Sequence, residues 1–298
     1  MTMQIPTASE MNAELIKKLF ESAEAGMSLR NAMSTLEGNG LKYFNINANI
    51  ETIIVEVLRR YFNALCSSLT KAYADNSPAV ITLDESYFTF GQSHFDDGNQ
   101  FLRSGLHRRL YDAHSGGIDL HKALILECTG CIPFFQIEAD LRHSVENIKS
   151  EGLKLMSAAL IKELYLDSIH RTAIRSKGRF LVAETYPCRG LGVHEKIREL
   201  RRIDQALIAI QNQSDIDFGD AVEGIIQHLG NCNHSELIPS RTCFGKGGDL
   251  EIHCFKEKYE FRFSHAGFDA IAAFVFMHGS DKNTETIAKI TESIQAVA

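Results

Sequence analysis

The sequence predicts an α/β fold: a mainly parallel central sheet flanked by helices, with a helical N-terminal extension and a C-terminal β-hairpin. Three observations carry this reading. A long apolar stripe at helical spacing precedes Pro78. Beyond it, short apolar runs alternate with amphipathic segments, the order that builds parallel sheets from β-α units. Near the end, two alternating runs flank the short polar segment Lys256-Glu257-Lys258, as the arms of a hairpin do.

Taken in order, residues 8–36 read as a helix or helix pair interrupted by Gly26 and ending before Gly38-Asn39-Gly40. Ile50, Ile53, Ile54, Val57, Leu58, Tyr61, Phe62, Leu65 and Leu69 fall on one helical face. Asn47 or Asn49 is placed to cap that helix, and Asn76-Ser77-Pro78 to stop it. Residues 79–83 and 87–90 are expected strands, 100–113 a basic amphipathic helix and 123–127 the next strand. A helical stretch over 136–176, broken near Gly152, leads to a strand at 179–184 and to helices at 194–211 and 218–229. Residues 250–255 and 259–263 form the expected hairpin, 270–277 a central strand, and 283–297 a closing helix with Ile287, Ile290 and Ile294 on one face. With no repeat and no low-complexity linker, residues 1–77 are expected to form the helical extension and 78–298 one α/β domain.

Composition narrows the function classes. At 298 residues, 44% hydrophobic and 23% charged, the chain has material for a substantial core. A formal charge of -7 without a sustained basic run argues against nucleic-acid binding, which needs clustered Lys and Arg to neutralise phosphates. The one basic cluster, Lys196, Arg198, Arg201 and Arg202, alternates with Glu195, Glu199 and Asp204 and reads as a solvated helix face. No apolar stretch is long enough to span a bilayer and the start lacks a classical leader, so a soluble protein without membrane insertion is expected. The polar, small-residue-rich beginning is compatible with the bacterial cytoplasm or with delivery into a host cell by a specialised secretion system. Seven scattered cysteines imply thiols in a reducing compartment rather than a disulfide scaffold.

Three of the apolar runs end in polar or ionisable groups: residues 87–90 lead into Gly91-Gln92-Ser93-His94, 123–126 end at Glu127, and 180–183 end at Glu184. If these runs are neighbouring parallel strands, their ends gather at the carboxyl edge of the sheet, where α/β folds place a ligand crevice. His94, Glu127 and Glu184 are therefore the candidate catalytic residues. Their alternative is structural: two glutamates opening exposed loops and a histidine capping a turn.

The same strand ends resemble the erythromycin-esterase-like and ChaN-like superfamily, which includes TIKI-type metalloproteases and some bacterial effectors. Gly91-Gln92-Ser93-His94 is similar to its Gly-Glu-x-His motif, Ala123-Leu-Ile-Leu-Glu127 to a strand ending in Glu, and His170-Arg171 with the 179–183 strand to a later segment. The resemblance implies a hydrolase-like protein, with His94 activating water against an ester or amide bond and Glu127 and Glu184 positioning imidazole or substrate. It also implies an unidentified substrate or a host protein as partner and an effector or virulence role, or else a non-catalytic binding module on the same fold. Gln92 stands where the family has a carboxylate, and an amide cannot exchange a proton near neutral pH. Glu85 or Glu127 would have to replace it; Gln92 and Glu85 are then substrate-binding candidates, with Arg171 or an arginine of the 103–109 helix to stabilise developing negative charge. Neither metal nor cofactor is expected at such a site.

Two sets of cysteines offer rival chemistry. Cys232, in Gly230-Asn-Cys-Asn-His234, would serve a protease or deamidase if His253, His265 or His278 became its base after folding. Cys128-Thr-Gly-Cys131 has redox or half-zinc spacing but continues into Ile132-Pro-Phe134, and buried thiols account for it better. Lys246 in Gly245-Lys-Gly-Gly248 lacks phosphate-loop spacing and reads as a turn.

Overall fold

The protein is described by a computed structural model covering residues 4–38, 50–88, 120–168, 174–186, 192–231 and 238–296. Among these residues it forms two compact units. One comprises Met1–Tyr73 and Val80–Ile148; the other comprises Ala74–Ala79 and Lys149–Ala298.

The first unit is helical: α1 (Ala8–Gly38), α2 (Ile50–Tyr73), α3 (Leu120–Gly130) and the start of α4 (Phe134–Glu163). A reciprocal cap opens α1, because the Glu10 carboxylate accepts from the Thr7 backbone N–H at 2.8 Å while the Thr7 hydroxyl accepts from the Glu10 N–H at 3.3 Å. Met11, Leu15, Leu19 and Ala23 recur at four-residue spacing on α1, and Ile54, Leu58, Phe62 and Cys66 do so on α2, all buried. Fixed spacing of that kind lets two helices share one apolar seam. Gly26 does not break α1. Asp75 and Asn76 take left-handed backbone at φ 50° and 63°, which ends the chain's helical course after α2 where the Asn-Ser-Pro stop was expected.

The second unit is a two-layer α+β structure. Among the described residues its sheet has five strands: β1 (Arg175–Lys177), β2 (Phe180–Thr185), β3 (Thr242–Phe244), β4 (Leu250–Cys254) and β5 (Tyr259–Ser264). Their order is β1-β2-β5-β4-β3, and every pairing is antiparallel. Helices α5 (Val193–Gln211), α6 (Ala221–Asn231) and α7 (His265–His278) supply the apolar layer, and α8 (Asp281–Gln295) closes on α7. Period-2 alternation assigns the faces. Leu250, Ile252, Cys254, Tyr259, Phe261 and Phe263 point into the core, while Glu251, His253, Glu260 and Arg262 point to the opposite face.

The expected parallel central sheet is thus overturned, and particular runs show why. Residues 123–127 lie in α3, not in a strand: Ile125, Cys128 and Thr129 are buried at helical spacing, whereas Leu126 is exposed. Residues 270–277 lie in α7. Its Ser264 hydroxyl accepts from the Gly267 N–H at 2.9 Å as an N-cap, and burial follows Phe268, Ile271, Ala272 and Val275. A short, wholly apolar run is compatible with either a buried strand or a buried helix, and its periodicity carries no decision. Residues 79–83 form no strand; the Ile81 N–H is satisfied by the Thr70 hydroxyl at 2.9 Å. Residues 85–88 form a 3₁₀ turn opened by Asp84, and the rest of the 87–90 run lies outside the described residues. So do Asn47, Asn49 and the 100–113 helix.

Other expectations hold. The hairpin is present as β4 and β5, closed by the Phe255 N–H on the Lys258 carbonyl at 2.8 Å. The strand at 179–184 exists as β2, paired antiparallel with β1 and β5. The helices expected at 194–211, 218–229 and 283–297 are α5, α6 and α8. Helix α4 runs through Gly152 without a break and ends at Glu163, so residues 175–176 belong to β1. Among the described residues, no helix is long and apolar enough to cross a membrane.

Candidate metal centre on the polar sheet face

On β4, alternation places Glu251 and His253 on the face turned away from the core, with Leu250, Ile252 and Cys254 beneath them. Cys243 of β3 lies directly opposite His253 in the register. The intervening turn is the Gly245–Gly248 segment, closed by the Gly248 N–H on the Gly245 carbonyl at 3.2 Å, as the sequence suggested. Glycine is required at its entry: Gly245 has φ +69°, and a Cβ there would lie 2.5 Å from the Leu250 carbonyl oxygen and 2.6 Å from Ala221 Cβ.

Three unlike donors converge as a result. Cys243 Sγ lies 3.4 Å from His253 Nε2, and Glu251 Oε2 lies 3.1 Å from that same nitrogen. All three donor atoms fall within 4.8 Å of one another. The second Glu251 oxygen accepts from the Gly247 backbone N–H at 3.1 Å, so the turn that sets the Cys243 register also orients the carboxylate. Burial opposes ionisation of Glu251, but hydrogen bonds from His253 and the Gly247 N–H, with the charges of His253 and Arg179, hold its carboxyl below the usual range.

The geometry distinguishes a proton relay from a ligand set. A nucleophilic Cys–His pair oriented by a carboxylate uses two different ring nitrogens, one toward each partner. Here sulfur and carboxylate meet the same nitrogen, so the carboxylate does not orient the ring from its other side. Burial and the neighbouring Glu251 charge also push the Cys243 thiol up, against the smaller pull of Arg262 and Lys246. Three donors gathered at one place can form part of a coordination polyhedron: with zinc bonds of about 2.0–2.3 Å, tetrahedral ligand separations come to about 3.3–3.8 Å, and the sulfur–nitrogen distance of 3.4 Å falls in that range.

A second feature shares the face. Glu260 is 2% exposed, yet it accepts from Arg262 at 2.7 Å and Arg175 at 2.8 Å and pairs with Lys258 at 3.0 Å and Lys177 at 3.1 Å. Burial penalises this carboxylate, but the hydrogen bonds from Arg262, Lys258 and Lys177 outweigh it and pull its pKa down to about 2. Arg179 lies over the Phe180 ring at 4.8 Å and reaches within 3.7 Å of Glu251 Oε1, while remaining 73% exposed.

Of the residues singled out in the sequence, Glu184 is the best described. It lies on β2 opposite Glu260, paired with Arg175 and, at 2.7 Å, with Lys258. It therefore belongs to the ion-pair network of an antiparallel sheet rather than to the carboxyl edge of a parallel one. Glu127 lies on α3 in the other unit and Glu85 in the 3₁₀ turn, and the side chains of both are outside the described residues. His94, Gln92, Arg171 and Cys232 also lie outside them. His253, weighed as the base for Cys232, meets Cys243.

The Glu251-x-His253 pair was legible as two polar groups alternating with apolar ones on a strand. Cys243 was not, because only the glycine turn and the β3–β4 register bring it across. Among the five cysteines of the described residues no disulfide forms. No family model matches the chain, and no curated protein or solved structure shows significant similarity to it.

Proposed function

We propose that the second unit holds a zinc-type divalent ion through Cys243, Glu251 and His253 and acts there as a metal-assisted hydrolase. The convergence of the three donor atoms within 4.8 Å of one another is the observation that carries this reading. Thiolate and imidazole select zinc and its soft or borderline neighbours over magnesium or calcium, which prefer all-oxygen sites. Three protein ligands with a remaining position for water characterise catalytic zinc sites, whereas structural sites close with four. A bound ion of this kind supplies hydroxide near neutral pH.

The chain's own residues set up that chemistry. The Gly247 N–H fixes the second Glu251 oxygen, as outer-shell hydrogen bonds to ligating carboxylates do. Cys243 must lose its proton to ligate, so affinity rises with pH. The hydrolase class agrees with what the family resemblance implied, but the residues carrying it here are different. The metal-free expectation rested on Gln92, in another part of the chain.

Cobalt substitution tests the site. Full-length protein stripped with a chelator and titrated with Co²⁺ should develop a thiolate-to-cobalt charge-transfer band at one equivalent, and Cys243→Ser should abolish it. Hydrolysis of p-nitrophenyl esters should appear with zinc and vanish on chelation. A folded wild-type protein that binds neither Co²⁺ nor Zn²⁺ stoichiometrically would exclude the reading.

A further inference from the structure

We infer that the outer sheet face beside Cys243, Glu251 and His253 receives the phosphoryl group of a small phosphomonoester. This assignment rests on the metal reading above and names the substrate class of that site.

The first argument is charge. Among the described residues, five cationic side chains, Arg175, Lys177, Arg179, Lys258 and Arg262, share ion pairs on the face and its rim with three carboxylates, Glu184, Glu251 and Glu260. Every carboxylate is already committed. Glu260 is divided among four cations, Glu184 between two, and Glu251 between His253 and the Gly247 N–H. The surplus is positive, and a divalent ion held by one thiolate raises it further. A neutral ester has no use for such a platform; a dianionic phosphoryl group does.

The second argument is position. Arg262 is the cross-strand partner of Glu251, and both point to the outer face. Arg262 is held rigid by two hydrogen bonds to Glu260, at 2.7 and 3.1 Å. Arg179 contributes reach: its stacking on Phe180 fixes its direction, and at 3.7 Å from Glu251 its guanidinium donors are not committed to that carboxylate. A planar fork of donors beside a metal position is the arrangement that recognises phosphoryl oxygens. The bulk charge of -7 disfavours an extended polyanion, so the occupant is a single small ester.

The implied reaction balances without a redox partner. A water oxygen bonds to phosphorus, the bond from phosphorus to the ester oxygen breaks, and the water's proton passes to the departing alcohol, releasing inorganic phosphate. Arg179 and Arg262 hold the phosphoryl oxygens.

Zinc-loaded full-length protein should hydrolyse p-nitrophenyl phosphate and be inhibited competitively by inorganic phosphate. Arg179→Ala, at an exposed position, should keep its circular dichroism and Co²⁺ spectra while KM for p-nitrophenyl phosphate rises about tenfold, the loss expected for one charge-assisted hydrogen bond. Arg179→Lys should recover part of that loss, and Lys177→Ala should weaken phosphate inhibition in the same direction. A normal Co²⁺ spectrum with no phosphate binding by calorimetry would overturn this inference and leave the metal reading standing. Absence of the Co²⁺ spectrum would bring both down. Binding of a short single-stranded oligonucleotide without binding of inorganic phosphate would replace the small ester with a polymer and also refute the inference.

Discussion

Glu260 and Arg262 lie two residues apart on β5, their side chains on the same face, with Arg262 Nη2 donating to Glu260 Oε2 at 2.7 Å. The carboxylate is almost fully buried, and its environment is tolerable because Arg175, Lys177 and Lys258 surround it as well. Its pKa, near 4.5 in an unfolded chain and about 2 here, makes folding depend on acid. A group whose folded pKa is depressed contributes its stability above the unfolded value and loses it as pH falls through the folded one. Stability should therefore drop by roughly 2–4 kcal/mol between about pH 4.5 and pH 2. Glu260→Gln should remove that component and cost about 3–5 kcal/mol at pH 7, because four cations lose their shared partner. Urea unfolding of both proteins across this range measures the effect; parallel curves would disprove it.

Gly245→Ala should be severely destabilising. The left-handed backbone and the close approach of Leu250 and Ala221 leave no room for a Cβ, and the expected loss is about 2 kcal/mol or more. Because this turn sets the β3–β4 register, the variant should also lose Co²⁺ binding even where it remains folded at low temperature. A stable Gly245→Ala protein with an intact Co²⁺ spectrum would contradict the turn assignment.

Helix α4 accommodates Gly152 for a packing reason. A Cβ at Gly152 would lie 2.3 Å from Ser77 Oγ and 2.5 Å from Ser77 Cβ. The hydroxyl is able to rotate aside, but Cβ is fixed to the backbone. Gly152→Ala should thus destabilise by about 1–3 kcal/mol despite the better helix propensity of alanine. Adding Ser77→Gly should restore much of the loss. Thermal melting of the two single variants and the double variant reads the coupling, and simple additivity would show that the contact is unimportant.

Metal should stabilise the protein by mass action. Zinc in excess over its dissociation constant should raise the melting temperature of the wild type, and a chelator should lower it. His253→Ala should melt at one temperature with or without zinc. Equal zinc-induced shifts in wild type and His253→Ala would place the ion elsewhere.

Helices with a regular apolar stripe were readable because the stripe is a property of the segment itself. The seam of α2 and the capped, amphipathic α8 fall where their spacing puts them. The hairpin was readable for the same reason: alternation on both arms and a short polar link are local features. Residues 123–127 and 270–277 were not, since a run apolar on every side fits a buried helix and a buried strand equally. The misreading of those two runs created the parallel sheet, and with it the expected edge at which Glu127 and Glu184 were to meet.

The sequence by itself determined which segments are amphipathic, where the glycine turn lies, and that Glu251 and His253 alternate with core residues on one strand. Tertiary structure decided what those residues face. Cys243 reaches His253 only through the antiparallel register of β3 and β4, and Glu260 gathers four cations only because β1, β2 and β5 lie side by side. Periodicity acts through neighbours three or four positions away in a helix and two in a strand, so it is written into any short stretch of chain. Strand order and register depend on which distant segments bury their apolar faces together, and that choice belongs to the whole core.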